Sequence, residues 1–424
     1  MKGRMSLALV GVVVLVSLAS AAYAKKTVIS YVTWWGGDLA ETEKMAVKTF
    51  MDRNPDIEVR MSTWDWANFH DKLLASTIGG LAPDVFKADV YYMPDYIDAG
   101  IAVNLEPYLK RDKMDLSSWY QFTLQPVTNR LDGKLYGFPS NWGGLMYFAN
   151  RDYFTQNGLP VPNDGWSWEQ FVQDLSKMRK DTNGDGKFER FGAGVSYWCW
   201  WAWAYTNGGS ILSKDARKVT MDTPQIGEAM KFVMDHMKGW RVASPDNAGD
   251  WESGRQGMTT MWTHTVQTIK PKFPVSIIEF PYGKSRTYTM KGDCMAIHAG
   301  SKKKDAAWKF MKWYLSEEFQ AMQMKTGLAP IQRKLAETEW VKWKKGNYDI
   351  EIRNALPTQV GRQPKFLECT TPTWRKMETI WNPEFSKVYA GTLGPEEIGR
   401  KLQPKLQQVL DEYWKRMDKR RSGK

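Results

Sequence analysis

Thr27-Val28-Ile29-Ser30-Tyr31-Val32-Thr33-Trp34-Trp35-Gly36-Gly37-Asp38 is the stretch from which the fold can be read. Its β-branched run predicts a strand that ends on two indoles and two glycines. Asp38 is then placed to cap a helix carrying Leu39, Ala46 and Phe50, which stops before Asn54-Pro55. Ile57, Val59 and Met61 alternate as a second strand, ending in Trp64-Asp65-Trp66. A second helix with Phe69, Leu73, Leu74 and Ile78 on one side stops at Gly79-Gly80. Pro83 to Asp89 reads as a short third strand. Strand, helix, strand, helix, strand predicts a parallel α/β sheet. Ligands of such sheets sit at the carboxyl ends of the strands. Trp34, Trp35, Trp64, Asp65, Asp89 and Tyr91 fall at those ends.

The chain has 22 tryptophans in 424 residues, several of them in knots: Trp34-Trp35, Trp64-Asp65-Trp66, Trp166-Ser167-Trp168 and Trp198-Cys199-Trp200-Trp201-Ala202-Trp203. An indole is large, and its N–H needs a partner when buried. Indoles beside carboxylates suit a sugar, whose C–H face lies on the ring while its hydroxyls bind Asp, Asn and Lys. Packing accounts for Trp166, Trp168, Trp308 and Trp313, which lie in helices or their caps. In the 198–203 run, an extended chain puts Trp198 and Trp200 on one face and Trp201 and Trp203 on the other, so that one pair is core.

Composition excludes disorder and a polytopic membrane protein: 42% of residues are hydrophobic and 25% charged. Lys2 and Arg4, an apolar run from Leu7 to Leu18 and Ala22-Tyr23-Ala24 form a secretion signal over 1–24, cleaved to start the mature chain at Lys25. No cysteine follows it, so no lipoprotein anchor is indicated, and a soluble exported protein is expected. Cys199, Cys294 and Cys369 allow at most one bridge. His70, His236, His264 and His298 are scattered, which argues against zinc. The net charge of +12 drops by two to +10 when Lys2 and Arg4 leave with the signal. No nucleic-acid motif accompanies it, so the surplus suits an anionic membrane surface or an acidic ligand.

Further helices are expected over Trp168–Lys180 with Ser167 as cap, Asp222–Met237, Asp305–Leu315, Ser316–Lys325 and Pro395–Met417, the last kinked at Pro404.

Read in this order, the chain resembles the bacterial extracellular solute-binding proteins of family 1, the maltose-binding-like sugar receptors of ABC importers. The resemblance rests on Thr33-Trp34-Trp35-Gly36, Ala82-Pro83-Asp84-Val85, the stretch from Ala99 to Leu109, Asp132 to Pro139, and Leu145 to Asp152. Gly165 to Phe171, Lys304 to Phe310 and Thr326-Gly327-Leu328-Ala329-Pro330 continue it. It implies two α/β lobes, each a mainly parallel sheet flanked by helices: 25–142 with 286–336, and 143–285 with 337–424. A hinge closes the lobes on a carbohydrate, an oligosaccharide given so many platforms, and the closed monomer docks on a membrane permease. No catalysis and no obligatory cofactor are implied.

The candidate ligand residues are Trp34, Trp35, Asp38, Trp64, Asp65, Asp89, Tyr91, Asn141 and Trp142, then Trp200, Trp201, Trp203, Trp251 and Trp262. Lys291, Gly292 and Asp293 match a glycine-containing loop at the return crossing. Asp181, Asn183 and Asp185 look like the start of a calcium loop, with Glu189 in the ninth position. The twelfth position is Gly192 rather than Glu, so a plain Asx-rich turn is the preferred reading. Two rivals stand beside the neutral-sugar receptor. One is a receptor for an acidic sugar, with Lys291, Arg255 and Arg362 as cations. The other is a secreted glycoside hydrolase, which needs two carboxylates flanking a bond.

Overall fold

The computed structural model describes residues 26–162, 165–186, 188–194, 199–236, 247–267, 269, 271–342, 364–366 and 373–422. The alternation read from residues 27–89 is realised as β1 (Thr27–Thr33), α1 (Gly37–Arg53), β2 (Ile57–Thr63), α2 (Trp66–Ile78) and β3 (Val85–Asp89). β1 lies between β2 and β3, and both pairings are parallel. Ile29, Tyr31 and Val32 are all fully buried, because both faces of β1 are covered, as a parallel sheet requires. Asp38 is not the helix cap. That position is Gly36, and Asp38 lies exposed in the first turn, where a carboxylate favours the helix dipole.

The chain continues through α3 (Met93–Asp98), α4 (Glu106–Asp112), β4 (Phe138–Asn150), α5 (Arg151–Gln156), α6 (Trp168–Met178), β5 (Phe191–Ala193), α7 (Trp200–Thr206) and α8 (Pro224–Met234). Then come α9 (Asn247–Glu252), β6 (Gln256–Trp262), β7 (Val275–Ile278) and β8 (Tyr288–Ile297). The last are α10 (Lys304–Tyr314), α11 (Glu317–Met324), α12 (Arg333–Thr338), β9 (Pro364–Phe366), α13 (Trp374–Ala390) and α14 (Ile398–Arg421). Ser167 and Ser316 cap α6 and α11 as expected, accepting from Gln170 N and Phe319 N at 3.2 Å each.

The 13-residue β4 serves two sheets. From Phe138 to Gly144 it pairs antiparallel with β8. From Leu145 onward it pairs antiparallel with β6 and β7 instead, so the second sheet is mixed rather than mainly parallel, with β5–β6 as its parallel pair. β8 pairs antiparallel with β3 on its other edge, which completes a first sheet in the order β2-β1-β3-β8-β4. The second sheet is built on the far half of β4, with β6, β5 and β7.

Two elements depart from the sequence reading. Residues 200–206 form a helix rather than an extended segment, so Trp200 and Trp203 share its buried face while Trp201 is half-buried. Trp198 lies outside the described residues. Helix α13 was not expected at all. Its stripe of Trp374, Met377, Trp381, Phe385 and Val388 has helical spacing, but Pro383 interrupts the pattern. Cys199 and Cys294 are buried thiols, and Cys369 lies outside the described residues.

The first sheet hides an ion pair. Lys87 on β3 donates to Glu43 of α1 at 2.6 Å and to the Tyr314 hydroxyl at 2.9 Å, and Tyr314 donates to the same Glu43 oxygen. All three side chains are fully buried. Two such charges repay their desolvation only as a pair. Lys87→Met should therefore cost about 3–5 kcal/mol, because it strands the Glu43 carboxylate. The double variant Glu43→Gln/Lys87→Met should recover most of that loss. Denaturant unfolding of the two variants checks this, and equal losses in both would refute it.

Candidate functional site

The carboxyl ends of β1, β2 and β3 bring their aromatic residues together. Trp34 meets Trp35 at 6.1 Å and Phe69 edge-on at 5.0 Å between ring centres, and Trp64 meets Phe69 at 5.4 Å. All three indoles are half-buried. Lys72 lies over the Trp64 ring at 4.4 Å. The buried Nε1 of Trp35 makes no hydrogen bond to the described residues. Asp65 is occupied as the cap of α2, accepting from Ala67 N at 3.0 Å and Asn68 Nδ2 at 3.3 Å.

Beside this cluster, a polar row crosses three strands. Asp89 of β3 stands opposite Asp293 of β8, and Asp293 opposite Asn141 of β4. Asn141 Nδ2 donates to Asp293 Oδ2 at 3.0 Å. Lys291 donates to Asp89 Oδ2 at 3.3 Å. Its side chain is 14% exposed, with the ammonium 5.5 Å from the Tyr91 ring centre and 5.2 Å from that of Trp262. Between them Gly292 is obligatory, because a Cβ there would lie 2.3 Å from the Asn141 carbonyl oxygen. Burial raises the Asp293 carboxyl to about 6; Lys87 and Lys291 pull it down and Asp89 pushes it up.

Residues that follow the second sheet close the other side. Trp262 ends β6, and His264 follows it, edge-on to Trp35 at 5.6 Å. Burial, with Lys291 nearby, lowers this imidazole to about 3, so it is neutral at physiological pH. Two contributors were not foreseen, His264 and Trp374. Trp374 of α13 stacks on Tyr91 at 5.6 Å and 9°, and meets Trp201 edge-on at 6.3 Å. Its indole donates to Glu378 at 2.9 Å. The apolar period of α13 could have revealed it.

Other expected residues lie elsewhere. Trp142 is 1% exposed, donates to the Pro330 carbonyl at 2.7 Å and packs on Tyr120, Phe122 and Trp340. Trp200 stacks on Phe385 at 4.2 Å. Trp203 packs among Phe171, Phe232 and Phe280, and Trp251 between Phe148 and Phe273. These four are interior residues with no face open to a ligand. Asp38 is on the surface of α1. Arg255 precedes β6, at the end opposite Trp262, and pairs with Asp250. Arg362 lies outside the described residues.

The Asp181, Asp185 and Glu189 carboxylates approach within 4.8 Å of one another. The loop's own donors already occupy much of this cluster. Asp181 accepts from Asn183, Gly184 and Gly186 N–H groups, Asn183 from Asp185 N, and Glu189 from Thr182. That is the pattern of the Asx turn.

The family model for bacterial extracellular solute-binding proteins matches residues 36–321. A putative binding protein of Brucella abortus is 24% identical over 426 residues, covering 95% of this chain and 97% of its own. The fold is similar to that of a substrate-binding protein of Listeria monocytogenes in complex with cycloalternan. The TM-score is 0.81 at 21% identity, over 91% of this chain and 100% of the other. It is also similar to UgpB of Mycobacterium tuberculosis in complex with glycerophosphocholine, with a TM-score of 0.76 at 18% identity, over 91% and 98% of the chains.

The Asp293 carboxyl has a consequence for stability. Its folded value of about 6 lies above the ordinary 3.8, so the folded protein holds a proton that the unfolded chain has given up. Its contribution is fully present below about pH 4 and is lost as pH rises through about 6. Asp293→Asn should therefore gain stability relative to the parent across that window, by no more than about 3 kcal/mol, and stay level above it. Urea unfolding at stepped pH measures this, and a difference that does not change with pH would contradict it.

Proposed function

The chain belongs to the bacterial extracellular solute-binding protein family, and from that premise we propose that it captures an oligosaccharide between two lobes and delivers it to an ABC permease. The single observation that carries this reading is the juxtaposition of aromatic faces with the Asp89–Asp293–Asn141 row. Trp34, Trp35, Tyr91 and Trp262 offer faces for sugar rings, with Trp374 buried behind Tyr91 as its support. The row offers acceptors and an amide for ring hydroxyls, and charge-assisted bonds of this kind are about twice as strong as neutral ones. The buried N–H of Trp35 is a further donor in want of an acceptor. The sugar-bound Listeria protein, similar in fold, accords with the reading.

The lobes are 25–142 with 286–336, and 143–285 with 337–424. The change of partner along β4 between Gly144 and Leu145 supports that division. So does the packing of α13 on α7, and of α14 on the 213–222 segment through Arg217–Asp418 and Trp414–Ala216. The protein acts as an exported monomer, its leader removed after Ala24, and performs no covalent chemistry.

The ligand is neutral. Lys291, the cleft cation expected to meet an acid, is already bound to Asp89, and Asp293 stands beside them. An anionic sugar would face two carboxyls for one ammonium. Two carboxyls in one row also evoke a hydrolase, a reading that a turnover assay separates from this one.

Neutral oligosaccharides should raise the melting temperature, since they bind only the folded state. Trp262→Ala should weaken them by about tenfold or more. A thermal-shift screen followed by calorimetry tests both. Stabilisation by sugar phosphates or uronides alone would replace the neutral ligand with an acidic one. Release of shorter sugars at ordinary enzymatic rates would end the receptor reading.

A further inference from the structure

The apolar stripe of α2 is one turn longer than the core it covers. Trp66, Phe69 and Leu73 lie three and seven residues apart on one side of the helix. Phe69 and Leu73 are buried against the sheet. Trp66 continues the same stripe by about 5 Å, the rise of one turn. It is 48% exposed where Phe69 and Leu73 are buried. Trp66 follows the carboxyl end of β2, where the candidate cleft opens.

The neighbours of Trp66 suit a sugar more than they suit chance exposure. One turn further along α2 is His70, whose ring lies 4.5 Å from that of Tyr92, beside Tyr91 of the cleft. Asp71 and Arg375 are close enough to act electrostatically on both His70 and Tyr92. Arg375 adjoins Trp374 at the start of α13. His70 follows Trp66 by four residues on the same side of α2, and the Asp71 carboxylate and Arg375 guanidinium act on that imidazole. Trp64 is less suited to this part, since Lys72 already lies over its ring.

We propose that Trp66 is the platform of an outer subsite, continuous with the cleft, that binds the distal ring of a neutral oligosaccharide. This rests on the carbohydrate reading above. It adds that affinity grows with chain length, and names the residue through which it does so.

The test is calorimetry of the mature chain and its Trp66→Ala and Trp66→Phe variants with maltooligosaccharides and mannooligosaccharides of two to seven units. The parent should bind the longer members more tightly. Trp66→Ala should lose about three- to tenfold on those members, leave the shortest binder unchanged and keep the parental melting temperature. Trp66→Phe should restore part of the loss. Equal affinity of the parent for short and long members would overturn the subsite and leave the carbohydrate reading standing. So would a Trp66→Ala loss that is the same at every length. Unaltered long-chain affinity in Trp66→Ala would overturn the subsite as well. A parent that binds no member of either series would remove the carbohydrate reading, and the subsite with it.

Discussion

Strand β8 lies antiparallel between β3 and β4, and that insertion is the constraint on which the molecule depends. It brings the end of the third strand, the return strand and the first crossing strand into one register. Asp89, Asp293 and Asn141, distant in sequence, become neighbours in a single row. It also forces Gly292 onto the chain, because the Asn141 carbonyl leaves no room for a side chain. Like charges directly opposed across strands are unfavourable. The protein meets that cost locally, with Lys291 on one carboxyl and the Asn141 amide on the other.

A second layer of buried charge lies behind the first. Lys87 and Glu43 are sealed inside the first sheet, and Lys87 also stands 5.4 Å from the Trp35 ring centre. Its field reaches Asp293 and favours the ionised carboxyl there. The cleft floor is thus set by groups that no ligand could touch. The rigidity of the parallel core and the chemistry of the cleft share the same residues, since Lys87 and Asp89 project from one face of β3.

The opening of the fold, residues 27–89, was legible because its elements are local and their periods clean. β1 to β3, with their helices, follow from β-branching, alternation and glycine stops. The strand ends were legible too, and with them Trp34, Trp35, Asp89 and Tyr91. What sequence could not separate was an indole on a cleft wall from an indole inside a lobe. Trp142, Trp200, Trp203 and Trp251 have the same composition and neighbours as cleft tryptophans, and only tertiary packing decides their place. Residues 200–203 are helical because packing of the 200/203 face on α13 and on Phe171, Phe232 and Phe280 overrides the weak strand preference of aromatic residues. Trp374 was hidden by the proline inside its helix. His264 stood alone, with no motif to mark it.

β4 runs unbroken from one sheet into the other while exchanging all of its partners between Gly144 and Leu145. A loop between lobes works as a pin joint, free at a few dihedral angles. A continuous strand works as a torsion bar, in which rotation of one sheet against the other is spread as added twist over many residues. Asn141 is mounted on that bar, three residues before the exchange. A ligand held at Asn141, as proposed, would therefore hold the strand that joins the two sheets.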